Sequence, residues 1–256
     1  MSEKLQGKHR LSGRRAIVTG GSRGIGAAIA KAFAAEGAAV AIIHFHDVDN
    51  AEVALGILKG ANKSCLALDC DVSDPQQVRT SVYTVSHELG GIEILVNCAG
   101  IVGGSRFEEA TLEQWNQVLD VNLTGAFLMS RYCYPLMKQN RWGRIINISS
   151  QRAFSGAAEA EAYCASKAGL IGLTRSLALE AAPFGVLVNS IAPGAIMTEM
   201  LQSCGPEYMT AILRTIPLGR FGKPEEIAAT AVLLASEDGA FYVGQTLSPN
   251  GGDVLR

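Results

Sequence analysis

The sequence predicts an α/β protein with one doubly wound parallel sheet of about seven strands and helices on both faces. Short apolar segments alternate with amphipathic helical segments along the chain, which is typical of repeated β-α-β units. The apolar segments, among them "AIV", "VAII", "EILV" and "RIINI", are almost uninterrupted, as strands buried on both faces are. A chain of 256 residues, 48% of them apolar, can bury the core that such a sheet requires.

Each element follows from its local pattern. Strands are predicted at apolar runs bounded by polar residues or glycine: Ala16–Thr19, Val40–His44, Cys65–Asp69, Ile94–Asn97, Arg144–Ser149, Leu187–Ala192 and Thr246–Ser248. Helices are predicted where apolar residues recur at helical spacing: Gly24–Glu36, Asp49–Leu58, Pro75–Leu89, Leu112–Lys138, Ala162–Ala182 and Pro224–Ser236. Because no linker or low-complexity segment separates them, residues 1–256 are predicted to form one domain.

The segment 195–217 departs from the alternation. It is apolar and Met-rich, it follows Pro-Gly, and it ends at a proline. A long stretch outside the sheet pattern often covers a site, so we predict a substrate lid here. A helix docked on the surface fits the same pattern and remains the alternative.

Composition excludes several classes of protein. The net charge is −2, and no stripe of basic and aromatic residues indicates a nucleic-acid surface. No apolar run approaches the ~20 residues of a membrane helix, and "MSEKLQGKHR" lacks the apolar core of a signal peptide. The six cysteines form no CxxC pair and the four histidines no cluster, so no metal site is expected. We expect a cytoplasmic protein with reduced thiols.

A glycine-rich loop, "VTGGSRGIG", lies between the first strand and the first helix. Gly20, Gly24 and Gly26 follow the spacing GxxxGxG. Glycine permits a tight turn and lets the backbone approach a pyrophosphate, to which the helix N-terminus offers free N–H groups and a positive dipole. The position of the loop between a strand and a helix therefore predicts a dinucleotide site.

Two tyrosines have a lysine one helical turn later: Tyr163 with Lys167, and Tyr134 with Lys138. A free tyrosine has a pKa of about 10, too high for proton transfer at neutral pH. A cation about 5 Å away contributes about 3 kcal/mol at an effective dielectric of about 20, which lowers that pKa. Tyr134 precedes a proline near the end of a long helix, which indicates packing and solvent exposure, so we assign the chemistry to Tyr163.

The motifs "TGGSRGIG", "NCAG", "VNLTG", "INISS", "YCASK" and "APG" occur in this order. Together they resemble the short-chain dehydrogenase/reductase superfamily in its single-domain form of about 250 residues, from Leu11 to Gly252. The resemblance implies a Rossmann-like fold and a nicotinamide-dependent oxidoreductase. It also implies a homotetramer, with which the small apolar face "AGLIGL" of the tyrosine helix agrees.

The resemblance assigns roles to particular residues. It implies a catalytic set of Ser150, Tyr163, Lys167 and Asn122, in which the serine holds the substrate oxygen and the asparagine supports a proton relay through water. It implies cofactor contacts from Gly20, Ser22, Arg23, Gly24, Ile25, Gly26, His44, Asp71, Val72, Asn97, Ala99, Gly100, Tyr163, Lys167, Pro193, Gly194, Ile196 and Thr198. Ser150, Arg152 and Glu159 are expected to line the substrate pocket.

Two positions depart from the family pattern. Cys98 follows Asn97 where the family commonly has a second asparagine, so we expect the turn to lose a hydrogen bond and some rigidity. Leu187 stands where an arginine is common. Neither change affects the groups that transfer protons.

The form of the cofactor depends on the end of the second strand, where an acid binds the ribose 2′-hydroxyl and repels a 2′-phosphate. The family places that acid where this chain has His44, and Asp47 comes three residues later. Arg23 can hold a phosphate through two charge-assisted hydrogen bonds, although Phe45 stands where a second basic residue is common. We therefore expect NADP(H) to be preferred, with NAD(H) possible.

The function predicted is hydride transfer between a nicotinamide cofactor and a carbonyl or secondary alcohol, with Tyr163 as proton donor or acceptor. A small ketone, sugar or polyol is the expected substrate. A 3-oxoacyl-(acyl-carrier-protein) reductase is the alternative, but Leu179 and Phe184 stand where carrier-linked members place basic residues. A dinucleotide sensor is the non-enzyme alternative, and it would not need the four catalytic residues together.

Overall fold

A computed structural model describes residues 9–62 and 64–255. The described residues form seven strands: β1 (Arg15–Thr19), β2 (Ala39–His44), β3 (Leu66–Asp69), β4 (Ile94–Asn97), β5 (Gly143–Ile148), β6 (Val186–Ile191) and β7 (Thr246–Leu247). They pair in parallel in the order β3-β2-β1-β4-β5-β6-β7. The predicted doubly wound parallel sheet is confirmed, and each strand boundary lies within one residue of its prediction.

The helices, in chain order, are α1 (Gly24–Ala35), α2 (Val48–Ala61), α3 (Pro75–Leu89), α4 (Leu112–Leu119), α5 (Gly125–Gln139), α6 (Arg152–Ser155), α7 (Glu161–Ala181), α8 (Glu199–Gln202), α9 (Pro206–Leu213) and α10 (Pro224–Ala235). The helix predicted over Leu112–Lys138 is divided by a π-helical segment, Asp120–Thr124. The short helix α6 was not predicted, because four residues give too little periodicity to recognise. The helices α8 and α9 lie in segment 195–217, where a surface helix was the alternative to a lid.

The core has two layers, one on each face of the sheet. Successive residues of β1 illustrate this, because Val18 packs into the layer beside α1 and α10 while Ile17 packs into the layer beside α3 and α5. Both side chains are fully buried. The uninterrupted apolar strands of the sequence thus correspond to a sheet covered on both faces.

The two halves of the sheet diverge between β1 and β4, which are neighbours although the chain visits two other strands between them. Ligands of doubly wound sheets bind in the crevice at the carboxyl ends of strands, where the strand order reverses. The loops that follow β1, β4, β5 and β6 meet at this edge. Within the described residues no helix is long and apolar enough to span a membrane, and no three His, Cys, Asp or Glu side chains could hold a metal ion.

Candidate active site

The glycine loop after β1 has the geometry of a phosphate cradle. Gly20 adopts a φ of +63°, and a Cβ added to Gly26 would lie 2.1 Å from the Gly20 carbonyl oxygen. A side chain at either position would therefore distort the loop. The first turn of α1 carries no acid, and the N-cap residue Arg23 makes no side-chain capping hydrogen bond. The N–H groups at this helix end can thus serve a pyrophosphate, which fits the predicted dinucleotide.

The turn after β4 closes this cradle. The backbone N–H groups of Cys98 and Ala99 both donate to Thr19 Oγ1, each at 3.0 Å. The hydroxyl of Thr19 thus holds both peptides of the turn, and the loss of rigidity expected from Cys98 stays a prediction. Burial raises the pKa of the Cys98 thiol to about 11, so this cysteine stays neutral at physiological pH.

The side chain of Asn97 links three elements of the fold. It lies in the core, where Nδ2 donates to Asn147 Oδ1 at 2.8 Å and to Ser130 Oγ at 3.1 Å. The amide joins β4 to β5 and α5, and the cofactor contact expected of Asn97 stays a prediction. Gly100 lies beside the predicted catalytic residues, since an added Cβ would lie 3.2 Å from both Asn122 Oδ1 and Lys167 Nζ, and its cofactor contact stays a prediction.

Asn122 lies in the π-helical segment that divides α4 from α5. It is 1% exposed, and its amide accepts from the Ile101 N–H at 2.8 Å and donates to the Ile101 carbonyl at 2.9 Å. A further bond runs to Ser166 Oγ at 3.1 Å. The amide thus ties the loop after β4 to α7. π-Helical turns of this kind are frequent at functional sites, and hydrophobic periodicity alone does not reveal them.

Tyr163 and Lys167 occupy the first turns of α7, next to Asn122. Lys167 is 4% exposed, its Nζ lies 5.7 Å from the centre of the Tyr163 ring, and it donates to the Ile148 carbonyl at 2.9 Å. Burial lowers the pKa of Lys167 to about 8. Burial also raises the pKa of Tyr163, and a hydrogen bond with Ser150 opposes this in part. The direction is the opposite of the lowered tyrosine pKa expected from the sequence, because burial is the largest cause.

Two adjacent serines follow β5, and the structure separates their roles. Ser149 Oγ donates to the Lys167 carbonyl at 2.7 Å, so it fixes α7 against the sheet. Ser150 Oγ accepts from the Arg152 N–H at 3.1 Å and reaches the Tyr163 hydroxyl. This arrangement agrees with the choice of Ser150 as the catalytic serine.

The chain after β6 lies against both the glycine loop and the site. A Cβ on Gly194 would lie 2.7 Å from Asn250 Cα, so only glycine fits after Pro193. Thr198 caps α8, and its methyl group lies 3.5 Å from the Cβ position of Gly24. Thr198 thus lies next to the glycine loop, while the cofactor contacts expected of this segment and the lid function of 195–217 stay predictions.

The adenosine end of the crevice differs from the expectation. His44 ends β2, but it is 8% exposed and its Nδ1 has no hydrogen-bond partner among the described residues. Asp47 instead faces the glycine loop, accepting from Ser22 Oγ at 2.6 Å, with Arg23 Nε 3.7 Å away. Arg23 also lies 2.9 Å from Glu199 of α8, a residue that sequence reasoning missed. Asp71 accepts from the backbone and hydroxyl of Ser73 after β3.

Of the predicted pocket residues, Arg152 contacts Ser150 through its backbone N–H. Arg152 is half-buried at the start of α6, and its Nη1 lies 3.4 Å from the Gly156 carbonyl. Glu159 is exposed, with a φ of +58° in the loop before Tyr163. Contact of these side chains with a substrate stays a prediction.

A glycine cradle at the switch point of the sheet, beside a serine, a tyrosine and a buried lysine, defines a dinucleotide-dependent oxidoreductase. A family model described as enoyl-(acyl carrier protein) reductase matches residues 20–253. The chain belongs to the short-chain dehydrogenase/reductase superfamily. It is an enzyme that transfers a hydride between a nicotinamide cofactor and a carbonyl or secondary alcohol.

Known proteins match over nearly the whole chain. The 3-oxoacyl-[acyl-carrier-protein] reductase FabG of Vibrio harveyi is 40% identical, over 94% of this chain and 98% of its own. The D-threitol dehydrogenase of Mycolicibacterium smegmatis is 39% identical, over 96% of this chain and 95% of its own. A crystal structure of a short-chain type dehydrogenase/reductase from Mycobacterium marinum superposes with a TM-score of 0.92 at 35% identity, covering 97% of this chain and 98% of that chain.

Proposed function

We propose that this enzyme acts on a free small molecule, namely a small ketone or sugar in reduction, or the corresponding alcohol or polyol in oxidation. The observation that carries the chemistry is the convergence of Ser150, Tyr163 and Lys167 on one partly buried site. The similarity to D-threitol dehydrogenase supports a polyol or its keto form.

In the proposed reaction Ser150 holds the substrate oxygen by a hydrogen bond, and Tyr163 gives it a proton in reduction or removes one in oxidation. The nicotinamide, when bound, supplies or accepts the hydride. Because burial raises its pKa, Tyr163 is a neutral phenol at physiological pH, the form that carbonyl reduction requires. Lys167 adds positive charge below its pKa of about 8, and Asn122 holds the loop that faces this lysine.

A 3-oxoacyl-(acyl-carrier-protein) reductase is the second candidate, supported by the similarity to FabG. An acidic carrier protein needs a basic docking surface. At the end of α7, however, Leu179 is 79% exposed and the next residue, Glu180, is also exposed. An apolar and an acidic side chain at this surface favour the free substrate.

The assembly we propose is a homotetramer. On α7 the residues Ala165, Ala168 and Gly172 are exposed, and among the described residues nothing outside the backbone of α7 and the chain neighbours lies within 4 Å of the Cβ position of Gly172. This small-residue face would allow two copies of the helix to approach closely across a two-fold axis. Light scattering that gives the mass of a single chain at micromolar concentration would refute the assembly.

The form of the cofactor has support on both sides. Arg23 supports NADP(H), as the sequence predicts, whereas the two carboxylates beside this arginine support NAD(H). The nicotinamide chemistry at Tyr163 is the same for either form.

The test is the loss of absorbance of NADH and NADPH across a panel of ketones, keto sugars and a 3-oxoacyl thioester, with the alcohols tested in reverse. We expect turnover of at least one small ketone or sugar with a higher kcat/KM than the thioester. Tyr163→Phe is the control for background oxidation. A clear preference for the thioester would establish the second candidate, and no turnover on the panel with either cofactor would count against both.

A further inference from the structure

Asp47 is held in a fixed position between the glycine loop and the start of α2. Its Oδ2 accepts from Ser22 Oγ at 2.6 Å and lies 3.7 Å from Arg23 Nε, while its Oδ1 accepts from Asn50 Nδ2 at 2.8 Å. The side chain is 18% exposed. Three partners thus orient this carboxylate.

Asp47 is also charged throughout the working pH range. The hydrogen bond from Ser22 is the largest cause that lowers its pKa, and Asn50 and Arg23 act in the same direction. A carboxylate oxygen has lone pairs for more than one donor, so Asp47 can accept a further hydroxyl. It cannot donate to a phosphate, and it repels one.

Arg23 does not present a free guanidinium at this place. It lies 2.9 Å from Glu199 on one side and 3.7 Å from Asp47 on the other. The charge that made NADP(H) the expected cofactor is therefore balanced by two carboxylates within the protein. A phosphate bound at Arg23 would lie close to the carboxylates of Glu199 and Asp47, which would repel it.

The position of this cluster identifies its ligand. In dinucleotide folds the group between the first βα turn and the end of the second strand meets the adenosine ribose at its 2′ position. His44, the last residue of β2, is buried and has no carboxylate. It therefore cannot accept hydrogen bonds from the ribose hydroxyls as an acid would. Asp47 reaches the same place from the following turn, because it bonds to Ser22 of the first βα turn.

We propose that Asp47 accepts a hydrogen bond from the 2′-hydroxyl of the adenosine ribose. The charges of Asp47 and Glu199 together disfavour a 2′-phosphate, and the enzyme therefore uses NAD(H). The inference rests on the proposed function only in requiring a bound adenine dinucleotide. It replaces the NADP(H) preference expected from Arg23 alone, because that expectation took no account of the partners of the arginine.

The test measures binding without catalysis. Isothermal titration compares adenosine 5′-monophosphate with adenosine 2′,5′-bisphosphate, which differ at the 2′ position and carry no nicotinamide. We expect the wild type to bind the monophosphate at least tenfold more tightly. Asp47→Asn keeps the size of the side chain but removes its charge, and we expect it to reduce the preference about tenfold. Glu199→Gln should reduce it two- to threefold, as an exposed charge does.

Asp49→Asn is the matched control. Asp49 is an exposed acid in the first turn of α2, so Asp49→Asn changes the net charge by the same amount as Asp47→Asn and at a nearby position. We expect it to leave the preference unchanged. Arg23→Ala should lower bisphosphate affinity no more than twofold, and a tenfold loss would show that Arg23 holds the phosphate and overturn the inference.

The other outcomes are also decisive. The inference is overturned if the wild type prefers the bisphosphate. It is also overturned if Asp47→Asn has a native circular dichroism spectrum and an unchanged ratio of affinities for the two nucleotides. Both results leave the proposed function intact. If Asp47→Asn fails to fold, the wild-type ratio and the Glu199→Gln variant still decide. If neither nucleotide binds the wild type, the proposed function fails, because the protein would have no site for an adenine dinucleotide. This outcome differs from those that refute only the role of Asp47.

Discussion

The two Tyr-x-x-x-Lys pairs of this chain have the same spacing and different surroundings. Lys167 is buried and donates to a carbonyl of the sheet, while the Tyr163 hydroxyl meets Ser150. Lys138 is exposed and its Nζ lies 4.0 Å from the ring centre of Phe184. The Tyr134 hydroxyl is buried without a hydrogen-bond partner among the described residues.

The difference teaches that helical spacing brings a cation near a tyrosine but does not create an acid–base pair. The lysine and tyrosine are separated by similar distances, 5.7 Å in the first pair and 5.8 Å in the second, measured from Nζ to the tyrosine ring centre. Only the first pair opens onto the crevice where the strand order reverses, beside a serine hydroxyl. The tertiary position decides the chemistry, and the second pair is a control built into the same molecule.

The largest effect is expected from removing one hydroxyl. Tyr163→Phe should lower kcat by about 10³-fold, because general acid–base catalysis by a positioned side chain is lost while the ring is retained. Steady-state kinetics on any accepted substrate measures this, and fluorescence titration checks that cofactor affinity is retained. Tyr134→Phe should leave kcat unchanged, so equal losses in the two variants would contradict the assignment.

The lysines extend the comparison. Lys167→Met should lower kcat roughly 10²-fold, because a buried positive charge beside the proton donor is removed. Lys138→Met removes an exposed charge at the end of α5, and its kcat should remain within about twofold of the wild type, as for most surface changes. The same assay decides, and a Lys167→Met enzyme with full activity would leave the buried lysine without a catalytic role.

The sequence was sufficient for the sheet and less so for the helices. Strand boundaries could be predicted to one residue because apolar runs buried on both faces begin and end abruptly. The π-helical segment at Asn122 could not be predicted, because Leu112–Lys138 keeps its helical periodicity across the extra residue.

In the candidate site, the motifs indicated which residues come together, such as Ser150, Tyr163 and Lys167, but not their electrostatics. The pKa of Tyr163 depends on burial, which spacing does not report. The roles of Thr19 at the Cys98 turn and of Glu199 at Arg23 depend on contacts between residues 79 and 176 positions apart in the chain. Without an alignment or a structure, no local signal indicates such pairs.

A smaller effect concerns pH and stability. Because burial lowers the pKa of Lys167 from 10.5 to about 8, the folded protein releases this proton at a lower pH than the unfolded chain does. Below pH 8 the cost of the buried charge is fully present, and between pH 8 and 10.5 it disappears. Relative to Lys167→Met, the wild type should gain about 2 kcal/mol in its free energy of unfolding between pH 7 and 10. Urea unfolding at both pH values measures the gain, and a constant difference would contradict the lowered pKa.

The smallest effect is expected at the second tyrosine and has the opposite sign from a catalytic loss. The Tyr134 hydroxyl is buried and makes no hydrogen bond within the described residues, and the ring packs against the core layer beside α3 and α5. A buried hydroxyl without a partner loses its bonds to water on folding, so Tyr134→Phe should raise the free energy of unfolding by about 1 kcal/mol. Tyr163→Phe loses a hydrogen bond with Ser150 and should not be stabilised in this way. Urea unfolding of the two variants tests the difference directly. A destabilised Tyr134→Phe would mean that the Tyr134 hydroxyl has a hydrogen-bond partner in the wild type. The two Tyr-x-x-x-Lys pairs would then differ less than their surroundings indicate.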